Sequence, residues 1–117
     1  MTMSTPTVLL FSYGTLQKKN VQLANFGHEL TGGEDALPGY ALRTAPIADP
    51  KVAELIGELH YANAEPSSNP EDAVSGTVFE ITESELAAAD EYEEAAQYRR
   101  ISVRLRSGIR AWVYVRA

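Results

Sequence analysis

Two alternating runs joined at a glycine constrain this chain more than any other feature. Residues 101 to 115 read ISVRLRSGIRAWVYV. Ile101, Val103 and Leu105 alternate with Ser102, Arg104 and Arg106, and IRAWVYV alternates again after Ser107-Gly108. A period of two sends successive side chains to opposite faces of a strand. Ser-Gly between two such runs is a hairpin signal. The chain is therefore predicted to end in a β-hairpin with an apolar face that something else must cover.

A helix is predicted just upstream of it. Thr82 to Glu85, TESE, has the form of a capping box, flanked by Ile81 and Leu86 as a hydrophobic staple. The alanine-rich ELAAADEYEEAA that follows has high helix propensity. GTVFEI (76–81) and VLLFSY (8–13) are short apolar runs and read as strands. Strands are also expected in YALRTA (40–45) and ELIGELHYA (54–62). Residues 17–30 are assigned one loose helical turn. Gly32-Gly33 and Pro38-Gly39 read as breakers, and NAEPSSNPEDAVSG (63–76) as a surface loop. Several strands with one firm helix make an α+β domain. A flat sheet would be left half bare by a single helix. The expected architecture is therefore a mixed, strongly curved, barrel-like sheet with one main helix and the C-terminal hairpin.

At 117 residues the chain is predicted to be one domain over 6–117, with residues 1–5 disordered. It has no cysteine, which removes disulfides, thiol nucleophiles and thiolate metal sites and fits a reducing compartment. No apolar run approaches the roughly 20 residues of a membrane span, and the N-terminus does not read as a signal peptide. A cytoplasmic protein without membrane partners is expected. The net charge of −6 argues against general nucleic-acid binding. All sixteen acidic residues lie at or before Glu94, whereas six of the ten basic ones are arginines from Arg99 onward. The Arg110, Trp112, Tyr114, Arg116 face mixes basic and aromatic residues, a pattern that can stack bases. The preferred reading is that these arginines solubilise a β face and pair with the acidic remainder.

Projecting the helix at 100° per residue aligns Leu86, Ala89, Glu93 and Ala96 on one stripe, with Glu91 opposite and Glu94 on the flank. Leu86 points inward, so Glu93 is aimed at the core side. A buried, unpaired carboxylate costs several kcal/mol. Either Glu93 pairs with Arg99 or Arg100, or it is a general base in a pocket with a raised pKa. Spacing leaves both readings open. YGTL (13–16) is similarly double. It is either a turn after a core strand or a loop whose amides hold an anion.

Taken together, these segments resemble the gamma-glutamylcyclotransferase-like family. That pattern runs from an apolar strand into Tyr-Gly-Thr-Leu, and later through Asp-x-x-Glu-Gly to Tyr-x-Arg. Tyr13, Gly14, Thr15 and Leu16 match the first motif, Asp90 and Glu93 the acidic pair, and Tyr98 and Arg100 the last. LPGYAL (37–42) and VSGTVFEI (74–81) sit where the family has its Gly-containing strands. The resemblance spans about Phe11 to Val115. Two positions depart from the pattern: Glu94 stands where the family has glycine, and Ala89 where it has leucine.

The resemblance implies a reaction in which a substrate's own α-amine attacks its γ-amide carbonyl, giving 5-oxoproline and a free amine or amino acid. It implies Glu93 as base and acid, and Tyr13, Gly14, Thr15, Leu16 and Tyr98 as substrate-binding residues. Asp90 and Arg100 are implied as supporting residues. No cofactor or metal is expected, His28 and His60 lacking ligand spacing. The partner is a small gamma-glutamyl compound. A non-catalytic small-molecule binding module on the same scaffold is the alternative.

Overall fold

The computed structural model describes residues 6–56 and 60–116; the expected disordered stretch 1–5 lies outside them. Strand β1 (Thr7–Ser12) leads through a single 3-10 turn at Thr15–Gln17 into helix α1 (Lys19–Phe26). Strands β2 (Thr31–Pro38) and β3 (Tyr40–Pro46) follow, then α2 (Pro50–Ile56) and β4 (His60–Pro66). Strand β5 (Ala73–Thr82) runs directly into α3 (Glu83–Ala95), and β6 (Tyr98–Arg104) and β7 (Arg110–Arg116) form the final hairpin. Among the described residues, five strands make one sheet in the order β2-β5-β1-β7-β6, while β3 and β4 pair as a separate ribbon. The sheet is mixed: β1 runs antiparallel to β5 and parallel to β7.

β1 sits at the centre with both faces covered, which is why its sequence is a continuous apolar run rather than an alternation. Leu10 enters one cluster, with Leu16, Phe79, Ile81, Leu86 and Ala89, beneath α1 and α3. Phe11, its neighbour, enters the other, with Leu37, Val74, Val103, Leu105 and Val113. Both β1 side chains have no exposed surface. In β7 the same alternation sends Ala111, Val113 and Val115 to one side and Trp112 and Tyr114 to the other.

Among the described residues the second cluster is enclosed by the sheet itself and by Ala64 and Tyr40 of the β3–β4 ribbon. The Arg106 amide, just beyond β6, donates to the Ala36 carbonyl of β2 at 2.9 Å. The Ser107 hydroxyl donates to Asp35 at 2.6 Å. The two edges of the sheet thus meet at one end. They do so through one backbone hydrogen bond and a side-chain clasp, not a ladder, so the expected barrel is strongly curved but not closed.

Other expectations are corrected locally. The loose turn expected in 17–30 is a two-turn helix, α1, ended by Gly27 in the left-handed conformation (φ 76°). Gly32-Gly33 does not break the chain: both residues pair within β2. The strand expected over 54–62 is divided, its first residues closing α2 and its last opening β4, with 57–59 outside the described residues. The loop expected from residue 63 is partly strand, since β4 continues to Pro66. The capping box is present in both directions: the Glu85 amide donates to Thr82 Oγ1, and the Thr82 amide to Glu85 Oε1.

Gly76 marks a close approach between β5 and β1. A Cβ there would lie 2.4 Å from the Ser12 carbonyl oxygen and 2.7 Å from the Phe11 ring. Relief would have to come from β1 backbone. Gly76→Ala is expected to destabilise the protein by about 1–3 kcal/mol, the usual range for overpacking, as measured by chemical denaturation. A change below about 0.5 kcal/mol would show that β1 yields freely.

Candidate active site

A cavity of about 370 Å³ opens where β1 ends. Ser12, Tyr13, Gly14 and Thr15 line it from the chain leaving β1; Tyr92, Glu93, Ala96 and Tyr98 line it from α3 and the start of β6. The floor includes Phe11 and Tyr114, and Thr44 and Ala62 reach it from the β3–β4 ribbon. Two segments about eighty residues apart therefore share one hollow.

The helical projection holds. Leu86 and Ala89 are buried, Glu91 and Glu94 are exposed, and Glu93 is half-buried on the cavity side. Burial pushes its carboxyl up to about 7. Among the described residues no hydrogen bond or ion pair ends on that carboxyl. No side-chain nitrogen or oxygen sealed from solvent lacks a partner there either. The unpaired Glu93 oxygens consequently keep a route to solvent.

Of Arg99 and Arg100, the two candidates for neutralising Glu93, Arg100 is spent elsewhere. Arg100 Nε and Nη2 donate to Asp90 Oδ1 and Oδ2 at 3.0 and 3.3 Å, and its guanidinium stacks 4.2 Å from the centre of the Trp112 ring. Tyr114 completes the arrangement by donating its hydroxyl to Asp90 Oδ1 at 2.7 Å. Asp90, one helical turn before Glu93, is thus bolted to both hairpin strands, which fixes the face that α3 presents to the cavity. Asp90 and Arg100 do not line the hollow themselves.

The tyrosines tie its walls together. The Tyr13 hydroxyl donates to the Tyr114 carbonyl at 2.7 Å and accepts the Ala64 amide at 3.1 Å. Tyr98 donates its hydroxyl to the Ala62 carbonyl, so the ribbon is held to β1 from one side and to β6 from the other. Thr15 Oγ1 meets the Tyr92 hydroxyl at 2.7 Å. Burial raises the pKa of Tyr13 and Tyr114 above the ordinary phenol value, keeping both hydroxyls protonated as donors. Tyr98 follows Gln97, whose φ of 67° is the one left-handed non-glycine backbone among the described residues. That bend carries the chain from α3 straight into β6 and turns Tyr98 toward the hollow.

The structure departs from the expected site in three respects. Leu16 is not part of the cavity lining, being 1% exposed within the helix-side core. Tyr98 lines the hollow, but its proton goes to Ala62. Gly14 has φ −128°, and a Cβ there would meet no protein atom within 4 Å. Crowding by the protein does not require glycine at that position. Sequence reasoning missed Lys18, Tyr92 and Tyr114 as lining residues. The basic-aromatic face expected to hold Tyr114 is not laid bare: Tyr114 is 5% exposed, and Trp112 packs against the same core cluster. Among the described residues, no group of three or more His, Asp or Glu is placed to hold a metal ion, and no helix is long and apolar enough to cross a membrane.

A family model described as gamma-glutamyl cyclotransferase, AIG2-like matches residues 10–117. The chain belongs to this family. Solved structures agree on the fold. One named gamma-glutamyl cyclotransferase superposes with a TM-score of 0.71 at 18% identity, over 96% of this chain and 68% of its own. A protein from Arabidopsis thaliana gives 0.68 at 19%, over 97% of this chain and 66% of its own. An AIG2-like protein from Mus musculus gives 0.63 at 18%, over 95% and 78%. The chain spans about two thirds of the length of the first two. No curated protein matches it.

Holding an unpaired carboxyl near the hollow has a stability consequence. With a folded pKa of about 7 against an ordinary 4.5, the folded state keeps a proton that the unfolded state has lost between those values. Stability therefore falls as pH rises through that window, and the full cost is present above about 7. Glu93→Gln is expected to stabilise the protein at pH 8 by no more than about 3 kcal/mol, with the gain gone at pH 4. Thermal unfolding at both pH values checks this. A Gln variant less stable at pH 8 would mean that the carboxylate has a stabilising partner.

Proposed function

We propose that this chain is a cyclotransferase that converts a small gamma-glutamyl compound into 5-oxoproline and a free amine or amino acid. The observation that carries the reading is the Glu93 carboxyl. It is unpaired, raised to about 7, and faces the same cavity as the turn leaving β1.

In the proposed cycle Glu93, as carboxylate, takes a proton from the substrate's α-ammonium. The freed amine attacks the γ-carbonyl carbon, and a five-membered ring closes as the nitrogen–carbon bond forms. Glu93 then returns its proton to the departing nitrogen, the old carbon–nitrogen bond breaks, and the carboxylate carries the second proton from the ring nitrogen to the released amine. Two protons move from the attacking to the leaving nitrogen, and one group with a pKa near neutrality can carry both in turn. Nothing covalent passes through the protein, so no serine or cysteine nucleophile is called for.

The substrate's anionic groups need donors. The Gly14 amide is directed to Ser12 Oγ at 3.3 Å. The amides of Thr15 and Leu16 have no protein acceptor among the described residues, and in this reading they hold the glutamyl α-carboxylate or the developing oxyanion. Gly14 keeps the wall low beside them, which supplies a reason for glycine where packing has none. Tyr13 and Tyr98 serve as walls, and Asp90 with Arg100 sets the rotation of α3 from outside. Glu94 is solvated, so its charge does little to Glu93.

Purified protein incubated with a panel of gamma-glutamyl amino acids and amines is expected to release 5-oxoproline, detected by mass spectrometry. Glu93→Gln should reduce turnover at least about a thousandfold while retaining the far-ultraviolet spectrum. The rate should rise with pH along a limb centred near 7, because only the carboxylate form accepts the first proton. Ligand protection against unfolding without product from any compound would instead mark a binding module. Gly14→Ala is expected to leave the melting temperature within about 2 °C but to raise KM at least about fivefold. An unchanged KM would remove Gly14 from the substrate wall.

A further inference from the structure

Thr15 and Tyr92 both line the hollow, yet the proposed cycle uses neither hydroxyl. Their oxygens lie 2.7 Å apart in a hydrogen bond that bridges 77 positions of sequence. Tyr92 immediately precedes Glu93 on α3, and successive helical side chains diverge by about 100°. Since both residues reach the hollow, they take adjacent sides of it. Tyr92 takes the side toward the turn after β1, its ring packed on the helix-side core. Thr15 opens the 3-10 turn directly after Gly14. The bond between the two hydroxyls therefore joins the segment that carries the amides to the helix that carries the carboxyl.

Other ties of these two segments lead elsewhere. Asp90 holds α3 to the hairpin through Arg100 and Tyr114. The turn is held to β5 by the Thr77 hydroxyl, which donates to Gln17 Oε1 at 2.9 Å, and to α1 by Gln22 Nε2, which donates to the Leu16 carbonyl at 2.8 Å. Each of these contacts secures one segment against the body of the protein. The Thr15–Tyr92 bond acts directly across the gap between them. Ring closure is sensitive to that gap, because the attacking amine, the carbonyl carbon and the proton carrier must come within about 3–3.5 Å in the right alignment. A misplacement of about 1 Å can cost on the order of a hundredfold in rate.

We propose that Thr15 and Tyr92 are positioning residues, whose paired hydroxyls set the spacing between the Glu93 carboxyl and the amides that hold the glutamyl group. This rests on the cyclotransferase reading and deepens it. The pair takes no part in the proton transfers, and Thr15 contributes its hydroxyl to Tyr92 instead of to the substrate.

The test measures kcat and KM separately on a gamma-glutamyl compound that the wild-type protein turns over. Tyr92→Phe keeps the ring in the core and removes only the bond; Thr15→Val keeps the branched shape and does the same from the other side. Each is expected to lower kcat about tenfold or more with KM within about threefold, the mark of an interaction that matters in the transition state. The pH limb near 7 should stay in place, and the double variant should be no slower than either single one, as for two residues that act as a unit. Thr15→Ser, which restores a hydroxyl, should recover most of the kcat lost in Thr15→Val. Melting curves verify folding, and should one single variant fail to fold, the other with the serine rescue decides. An undiminished kcat in either single variant overturns the proposal, as do losses that multiply in the double variant. A raised KM at constant kcat would make the hydroxyls substrate ligands, and a displaced pH limb would put Tyr92 in the proton transfers; either result removes the positioning role. Absence of 5-oxoproline with the wild-type protein itself would fail the cyclotransferase reading and the proposal with it, an outcome distinct from a loss confined to the variants.

Discussion

Arg100 stands close enough to α3 to neutralise a carboxylate, and the one it takes determines what the cavity contains. It takes Asp90, in a two-point contact reinforced by the Tyr114 hydroxyl and by stacking on Trp112. Had it reached one helical turn further, Glu93 would be a structural ion pair with a depressed pKa. Because Arg100 is engaged by Asp90, Glu93 is left buried enough to resist ionisation and still reachable from solvent. The same contact fixes the rotation of α3 about its axis, so the group that is freed is also the group that is aimed.

The hollow itself is a product of sheet curvature. β1 is held by β5 on one edge and β7 on the other, and the sheet rolls until the hairpin end meets β2. Rolling lets Phe11, Val113 and Leu105 fill an interior shared with Ala64 of the ribbon, and it brings the exit of β1 beneath α3. Gly76 permits this by letting β5 and β1 approach more closely than any side chain would allow. The separate ribbon then becomes a wall. Its attachment is polar, through the Tyr13 and Tyr98 hydroxyls and a bond from the Arg116 amide to Asn63. Tyrosines so placed bury their rings against the core while satisfying backbone groups that the ribbon would otherwise leave unpaired.

Much of this was readable from local signals. The alternation in 101–115 specified the hairpin, and TESE specified where α3 begins, because both patterns encode short-range geometry. The stripe through Leu86, Ala89 and Glu93 correctly aimed the carboxyl inward, since a capped helix leaves little freedom in its phase. Where local signals conflicted with long-range pairing, the pairing prevailed. Gly32-Gly33 reads as a break but lies in a strand, since β5 supplies its partners. The polar segment from Lys19 to Phe26 has weak amphipathicity and is nevertheless helical, docked against α3 through Val21 and Phe26.

The sequence by itself determined the hairpin, the capped helix and the inward direction of Glu93, which follow from the identities of residues close together along the chain, and the family, which follows from short motifs in a fixed order. Only the tertiary structure decided that Arg100 goes to Asp90 and not to Glu93, that Leu16 lies in the core while Lys18 borders the hollow, and that Tyr114 belongs to the site. Those choices depend on distances between segments separated by tens of residues. Such distances are set by how far the sheet curls and which edges meet, and neither periodicity nor spacing along one strand or helix encodes them.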